Sequence, residues 1–540
     1  MKYIKGRGKF LSESGAIKDD ALHILATHDD GQSPGVKDTL DKLDSAPATK
    51  KVVTRFAPSP TGFLHIGGIR TALYNYLFAK KHGGVFYLRI EDTDQKRFVG
   101  DAEAYIKNSL NWLGIEPDFS PWSGGPNGPY RQSERDYTKH TKFLIDNKKA
   151  YYAFDTESEI AVVRAADPNF AYGAKNRMSL RNSLSLPKEE VDRLIASGAQ
   201  FVIRFNTPEN KTINFTDIIR GDISFNTNQT DDKVLVKSNG IPTYHMANVC
   251  DDHDMGTTHV IRGEEWLSST PLHFMLYEAF GWEAPEFAHL PLLLNPDGKG
   301  KLSKRTALKN NFPAFPMGGE GEDDKGKKVK YKGFKDEGYE PEALLNFLLL
   351  LGWTPKDNKE LLSVAEMISE FSLEHVHKAG ARFDIEKAKW FNQQYLSKVK
   401  DNSELMKSID FGSTFKYDDV KKNEIIELAK KRSTFVGDLQ PVVNIFTNPV
   451  VVDAAAKSRT PIEYKTVFTE FVNKMDSIDW IPESIHKLIG DICTEKDIKM
   501  GKIMPALRVA LTGGVPGPDL MTTASILGKE ETKVRISSLL

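Results

Sequence analysis

Two cysteines, Cys250 and Cys493, are all that a chain of 540 residues contains. So few thiols leave no disulfide framework and no Cys-based zinc site, and they suit a reducing compartment. Long apolar runs are missing too. The longest, Ala343 to Leu351, is interrupted by Asn346 and closed by Gly352. It falls well short of the ~20 residues needed to cross a membrane, so it reads as a buried core helix. An excess of one charge is also lacking, since 73 Lys+Arg against 74 Asp+Glu give a formal net charge of −1. No global positive field advertises a nucleic-acid partner, and any RNA must be met by local patches and by shape.

What is present is the composition of an ordinary globular protein, 40% apolar and 27% charged, in a chain long enough for about three to five structural units. The first fifty residues stand apart. They have no apolar core of a secretory signal, and Asp19, Asp20, Asp29 and Asp30 argue against an acid-poor transit peptide. Asp29 to Lys50 is rich in Asp, Ser, Gly and Pro, which reads as a flexible extension.

From Lys51 the pattern changes. Val52, Val53 and Phe56 suit a strand, Ala57 to Gly62 a Pro/Gly turn, Ile66 to Lys81 a helix ended by Gly83 and Gly84, and Val85 to Ile90 a second strand. A strand–helix–strand unit of this length implies parallel strands joined by a right-handed crossover. About Tyr137 to Lys233 reads as an inserted α+β module. The alternation then resumes with a strand at Lys233 to Lys237, a helix from Thr243, a strand at His259 to Arg262 and a helix from Ser269. Gly318 to Lys332 reads as a Gly- and Lys-rich loop, and from Pro341 onward nearly every segment reads as amphipathic helix. The fold class is therefore α/β: a Rossmann-like domain split by an α+β insertion, followed by an all-helical C-terminal region.

Two short motifs flank the insertion. Arg55 to Gly68 reads RFAPSPTGFLHIGG, a strand, a tight turn and a helix N-terminus. Such a junction is expected to direct backbone N–H groups and the positive end of a helix dipole at an anion. Gly67 and Gly68 would let a flat base or backbone approach, and His65 could donate to a phosphate. Lys301 to Arg305, KLSKR, follows Gly298 and Gly300 and offers three cations on a Gly-flanked loop, suited to a polyphosphate leaving group. The acidic run Asp251 to Asp254, DDHD, cannot turn four consecutive residues onto one metal ion, and it reads as a solvated or capping helix end.

In this order, and on opposite sides of an insertion, the two motifs resemble the HIGH and KMSKS signatures of class I aminoacyl-tRNA synthetases. The fuller strings, together with RIEDTD (Arg89 to Asp94), YHMANVCDDHDMG (Tyr244 to Gly256) and HVIRGEEW (His259 to Trp266), are similar to glutamyl-tRNA synthetases. Toward the C-terminus, GKIM (Gly501 to Met504) and ILGKEET (Ile526 to Thr532) resemble the bacterial members. Three positions depart from the signatures. Gly68 stands for the last His of HIGH, and Leu302 and Arg305 stand for Met and the last Ser of KMSKS.

The resemblance implies a glutamate–tRNA ligase that uses ATP with Mg²⁺, L-glutamate and tRNA-Glu, with no membrane partner, as a monomer in the cytoplasm. It implies His65, Lys301 and Lys304 as catalytic residues. ATP would also meet Gly67, Gly68, Glu265, Leu302, Ser303 and Arg305. Glutamate would meet Arg55, Ala57, Ser59, Glu91, Tyr244, Asn248 and Arg262, with Trp266 in support. Arg55, Glu91 and Arg262 fall at the C-terminal ends of predicted parallel strands, where open α/β sheets bind ligands. One acidic and two guanidinium groups complement a substrate with one ammonium and two carboxylates. No structural zinc is expected, since residues 137 to 233 lack cysteine.

The implied domains are the extension at 1–50, the catalytic halves at 51–136 and 241–310, an acceptor-binding insertion at 137–240, a stem-contact region at 311–395 and a helical anticodon-binding region at 396–540. A glutaminyl enzyme is disfavoured by Arg262 and by the helical C-terminus. A tRNA-modifying glutamyl-queuosine enzyme is disfavoured by the long C-terminal region, and a decayed binding protein by the intact His65, Glu91, Lys301 and Lys304. Whether tRNA-Gln is also charged with glutamate stays open at this point.

Overall fold

The computed structural model describes residues 51–94, 99–322, 327–412, 418–448, 450–452, 454–458 and 460–540. The expected flexible extension lies outside the described residues. The architecture starts with strands β1 (Val53–Phe56) and β2 (Val85–Leu88), parallel and in register from Val53↔Val85 to Phe56↔Leu88. The helix Ile66–Lys81 between them has the predicted bounds. It buries Ile66, Ile69, Leu73 and Leu77, and Lys80 and Lys81 in its last turn suit the negative end of its dipole. Gly83 then takes a left-handed φ of 57°, as a residue without Cβ does readily.

The insertion forms an antiparallel sheet of β3 (Ala150–Ala153), β4 (Val202–Phe205) and β7 (Val234–Val236), in the order β3-β4-β7. Between β4 and β7 comes the hairpin β5 (Thr212–Asp217) and β6 (Gly221–Asn226), which leaves that sheet. It joins the edge of the catalytic sheet, β5 running parallel to β9 (Glu286–Leu290) and β9 parallel to β8 (His259–Gly263). β8 lies beside β1, where the Thr258 N–H donates to the Val53 carbonyl at 2.9 Å and the Val53 N–H to Thr258 Oγ1 at 2.8 Å. One apolar core runs through Ile203, Phe215, Leu235, Met246, Leu276 and Phe287, so insertion and second catalytic half pack as one body.

After the short strand β10 (Leu293–Leu294) comes a difference from the sequence reading. The Gly- and Lys-rich stretch holds an antiparallel hairpin of β11 (Gly319–Glu322) and β12 (Lys328–Tyr331). Gly and Lys disguise it, but Val329 and Tyr331 alternate toward the core as strand residues do. The glycines let it lie against Phe63 of the first motif, since a Cβ on Gly319 would come within 2.8 Å of that ring.

Beyond Pro341 the regular elements among the described residues are helices apart from the two-residue strand β13 (Ala381–Arg382), which pairs in parallel with β10. The long apolar run is a buried helix, Pro341–Leu350. Its Asn346 is fully buried and accepts from the Leu362 N–H at 2.8 Å and the Tyr395 hydroxyl at 3.0 Å. No helix among the described residues is long and apolar enough to cross a membrane. The first core ends at Tyr395 and a second, wholly helical core begins at Leu396. Both cysteines are buried and free.

Gly84 sits where β2 begins, and a Cβ there would collide with the Val52 carbonyl. Gly84→Ala is expected to lower the stability of the catalytic unit by about 1–3 kcal/mol, the usual cost of overpacking, read as an earlier denaturation midpoint at unchanged helix content.

Candidate functional site

At the C-terminal ends of β1, β2 and β8 the chain leaves a cavity of about 770 Å³. Every residue that the sequence pointed to lines it. From the first motif come Arg55, Ala57, Ser59, His65, Gly67 and Gly68, and from the end of β2 comes Glu91. Tyr244 and Asn248 come from the helix Tyr244–Asp254, and Arg262, Glu265 and Trp266 from β8 and the turn after it. Lys301, Leu302, Ser303, Lys304 and Arg305 complete the lining next to His65. Two motifs more than two hundred residues apart in sequence thus share one wall-to-wall space.

The side of the cavity formed by the first motif differs from the expectation in one respect. Few backbone N–H groups at the helix start are free. Ile66 donates to the Ala314 carbonyl at 3.0 Å, Gly67 to His65 Nδ1 at 3.2 Å, and Gly68 and Ile69 both to the His65 carbonyl. His65 is the N-cap and takes over the role. Because its Nδ1 accepts from Gly67, the neutral ring carries its proton on Nε2, an atom shielded from solvent and without a partner among the described residues. Burial, reinforced by Lys304 and Lys301, lowers the pKa of this imidazole to about 4. It is therefore a neutral donor flanked by two ammonium groups. Lys301 pairs with Glu265 at 3.0 Å, and Ser303 caps the short helix Lys304–Lys309 by accepting from the Thr306 N–H at 3.1 Å. Gly68 is closely packed, because a Cβ there would sit 2.6 Å from Leu64 Cδ1 and push that methyl aside.

The opposite end is a buried ionic lattice. Arg55 grips both oxygens of Asp252 (Nε–Oδ1 3.1 Å, Nη2–Oδ2 3.2 Å). Arg89, fully buried, reaches Asp252 Oδ1 at 2.8 Å and Glu91 Oε1 at 2.9 Å. Asn248 Nδ2 donates to the same Glu91 oxygen at 3.2 Å. Asp251 is paired with Arg135 at 2.7 Å and accepts from Gln132 and Tyr137. The reading of DDHD as a solvated or capping run is therefore corrected for its first two members. Asp251 and Asp252 are buried, and they are stable there because guanidiniums surround them.

Burial pushes the Asp252 carboxyl up, but Arg55 and Arg89 more than reverse this and hold it below the ordinary carboxylate range. For Glu91 burial prevails over Arg89 and the pKa is raised. Tyr244 stacks on Trp266 (ring centroids 4.1 Å apart), and burial raises its phenol to about 12.

Arg89, Asp252, Asp217, His273 and His289 were not singled out as site residues. A signal for Asp252 was available. Tyr244, Asn248 and Asp252 are spaced four apart, so a helix turns all three to one face. Nothing in the sequence joins Asp217 in the insertion to His289.

The charge arrangement has measurable consequences. Asp252→Asn would leave two buried guanidiniums without their shared counter-ion, an expected loss of about 3–5 kcal/mol in denaturant unfolding. Asp252 contributes stability above the carboxylate range of the unfolded chain, and that contribution is lost as pH falls through its depressed folded value. His65 acts with the same sign, since the unfolded chain binds its proton first as pH falls below about 6.5. NMR of histidine-labelled protein at pH 6 is expected to show His65 neutral and protonated on Nε2.

Comparison with known proteins agrees with this geometry. The family model for class I tRNA synthetases (E and Q), catalytic domain, matches residues 51–314 and 324–390, and that for an anticodon-binding domain matches 364–540. The chain is 48% identical over 503 residues to a glutamate–tRNA ligase of Flavobacterium johnsoniae, covering 90% of this chain and 98% of that protein. It is 47% identical over 501 residues to one of Bacteroides fragilis, covering 91% and 98%. The crystal structure of a glutamate tRNA ligase from Elizabethkingia meningosepticum in complex with its amino acid superposes with a TM-score of 0.80 at 49% identity, covering 91% of this chain and 99% of that one. The enzyme from Elizabethkingia anophelis gives 0.77 at 49% identity. The chain belongs to the glutamate–tRNA ligases, within the class I aminoacyl-tRNA synthetases.

Proposed function

We propose that this chain activates L-glutamate with ATP and transfers it to the 3′-terminal adenosine of tRNA-Glu, using the cavity between the two motifs. The observation that carries this reading is the meeting of two chemistries in one space. His65, Lys301 and Lys304 stand on one side, and Glu91, Arg55, Tyr244 and Arg262 on the other.

A glutamate α-carboxylate oxygen attacks the α-phosphorus of ATP, the bond to the bridging oxygen breaks, and pyrophosphate leaves. His65 Nε2–H and the two lysines stabilise the charge that builds on the phosphates. A ribose 2′-hydroxyl then attacks the carbonyl of the glutamyl-adenylate, its proton is lost, and AMP departs. No side chain need form a covalent bond.

Glu91 meets the ammonium of glutamate. Arg55, whose Nε and Nη2 are engaged by Asp252, offers its Nη1 edge, and Arg262 with Tyr244 meets the side-chain carboxylate. Ala57 and Ser59 shape the floor. Mg²⁺ enters with ATP as part of the substrate, held by phosphate oxygens and water. The insertion takes the acceptor end, and the helical C-terminal region takes the stem and anticodon. The reading includes a monomer working in the cytoplasm, which suits two buried, unpaired cysteines.

Charging of purified tRNA pools with labelled glutamate or glutamine, with ATP, is expected to give glutamyl-tRNA-Glu and no glutaminyl-tRNA. Lys304→Ala should lower kcat by about 10²–10³-fold, as loss of one charge-stabilising donor does; near-normal charging would overturn the placement of the phosphates. Arg262→Ala should raise the KM for glutamate and erode discrimination by up to ~10⁴-fold, while an unchanged KM would tell against the pocket.

A further inference from the structure

Two buried guanidiniums at this end of the cavity face carboxylates: Arg55 faces Asp252, and Arg89 faces Asp252 and Glu91; Arg70, which also lines the cavity, donates to the Leu351 and Pro291 carbonyls. Arg262 faces none among the described residues. Its five N–H groups go to neutral acceptors. Nε donates to His289 Nε2 at 3.1 Å, Nη1 to His273 Nδ1 at 3.2 Å and to the Tyr244 hydroxyl at 3.3 Å. Nη2 donates to Thr270 Oγ1 at 3.0 Å and to the Trp266 carbonyl at 3.5 Å. The three shorter bonds go to His289, His273 and Thr270, which are fully buried. The two longer ones go to Tyr244 and Trp266, which line the cavity. The guanidinium is thus held from behind and loosely engaged in front.

The tautomers follow from the next shell of bonds. His289 Nδ1 lies 2.6 Å from Asp217 Oδ2, so Nδ1 carries the proton and Nε2 keeps the lone pair that Arg262 needs. Asp217 is in turn fixed by the backbone N–H groups of Ile219, Arg220 and His289. His273 accepts at Nδ1, so its proton is on Nε2, 3.2 Å from His245 Nδ1. Burial, with Arg262 nearby, holds His273 well below the usual histidine range, which favours the neutral acceptor.

We propose that Asp217–His289, together with His273 backed by His245, is a positioning device that orients Arg262 while keeping the carboxylates of the described residues out of contact with it. The first carboxylate that Arg262 meets is then the side chain of glutamate. This inference rests on the reading of the cavity as the glutamate site. The physical content is a contrast within one site. Asp252, in direct contact, orients Arg55 and neutralises it. Asp217, one imidazole further away, orients Arg262 without occupying it. An uncompensated, desolvated guanidinium favours an anion over the neutral amide of glutamine. The specificity for an acid over its amide is thereby traced to a strand of the insertion, β5, which delivers Asp217, and to β9, which delivers His289.

The test is steady-state charging of tRNA-Glu by the full-length protein, with the KM for glutamate and for ATP measured separately. His289→Ala is expected to raise the KM for glutamate about tenfold or more, the fold-change of losing a hydrogen bond to a charged group, with the KM for ATP within about twofold. His289→Gln should recover most of this, because its amide oxygen accepts from Arg262 while its N–H donates to Asp217. The ratio of kcat/KM for glutamine to that for glutamate should rise in the alanine variant and fall back in the glutamine variant.

Equal rises in both KM values, an unchanged KM for glutamate in a folded variant, or a glutamine variant no better than alanine would each overturn the proposal. If His289→Ala does not fold, Asp217→Asn and His289→Gln decide the matter by the same split between glutamate and ATP. A wild-type protein that charges no glutamate would instead refute the reading of the cavity. Arg262→Ala raising the KM for glutamate while His289→Ala leaves it unmoved would refute the positioning device alone.

Discussion

Asp252 lies out of water between Arg55 and Arg89, and the catalytic unit is organised around that contact. Each group alone would bear a desolvation penalty of several kcal/mol, so the three are stable only as a set. They come from β1, from the strand end after β2, and from the helix Tyr244–Asp254 on the far side of the insertion. Their pairing therefore fixes how the two halves of the split domain meet. The same Arg89 holds Glu91, and Asn248, one turn away on the helix, donates to the same carboxylate oxygen. The shape of the cavity around Glu91 is thus a by-product of satisfying buried charge.

Much of this was legible in the sequence because short-range rules governed it. The first helix ran from Ile66 to Lys81 as its apolar spacing and terminal glycines indicated. The first two strands and the strand at His259 also fell where β-branched residues clustered. What could not be read depended on partners remote in sequence. Asp251 and Asp252 looked solvated because acidic runs usually are, and only the arrival of Arg135, Arg89 and Arg55 makes their burial tolerable. The hairpin at Gly319–Tyr331 was hidden by glycine and lysine, and it exists because Phe63 and Phe315 provide a surface for Tyr331. The helix N-terminus looked like an array of free N–H groups, but Ala314, distant in sequence, occupies the first of them.

The insertion is also more integrated than a break in the strand–helix alternation suggests. Its hairpin extends the catalytic sheet at β9, and its apolar residues share a core with the helices Tyr244–Asp254 and Thr270–Phe280. Rotation of the insertion as a rigid lobe would have to shear that core. The helical C-terminal region is different. Its core is separate from the first, and the junction carries polar ties such as Lys400 to Glu340 and Lys430 to the Lys400 carbonyl besides the contact of Phe435 with Tyr339. Domain motion, where it occurs, is more easily accommodated at that seam.

Gly68 occupies the position where the general HIGH signature has its second histidine. Any side chain there would press on Leu64, itself buried in the core beside Phe56. The two positions are therefore mutationally coupled. A larger residue at 68 would have to displace the tip of the Leu64 side chain, so what this letter of the motif tolerates is set by how a neighbour four residues earlier can repack.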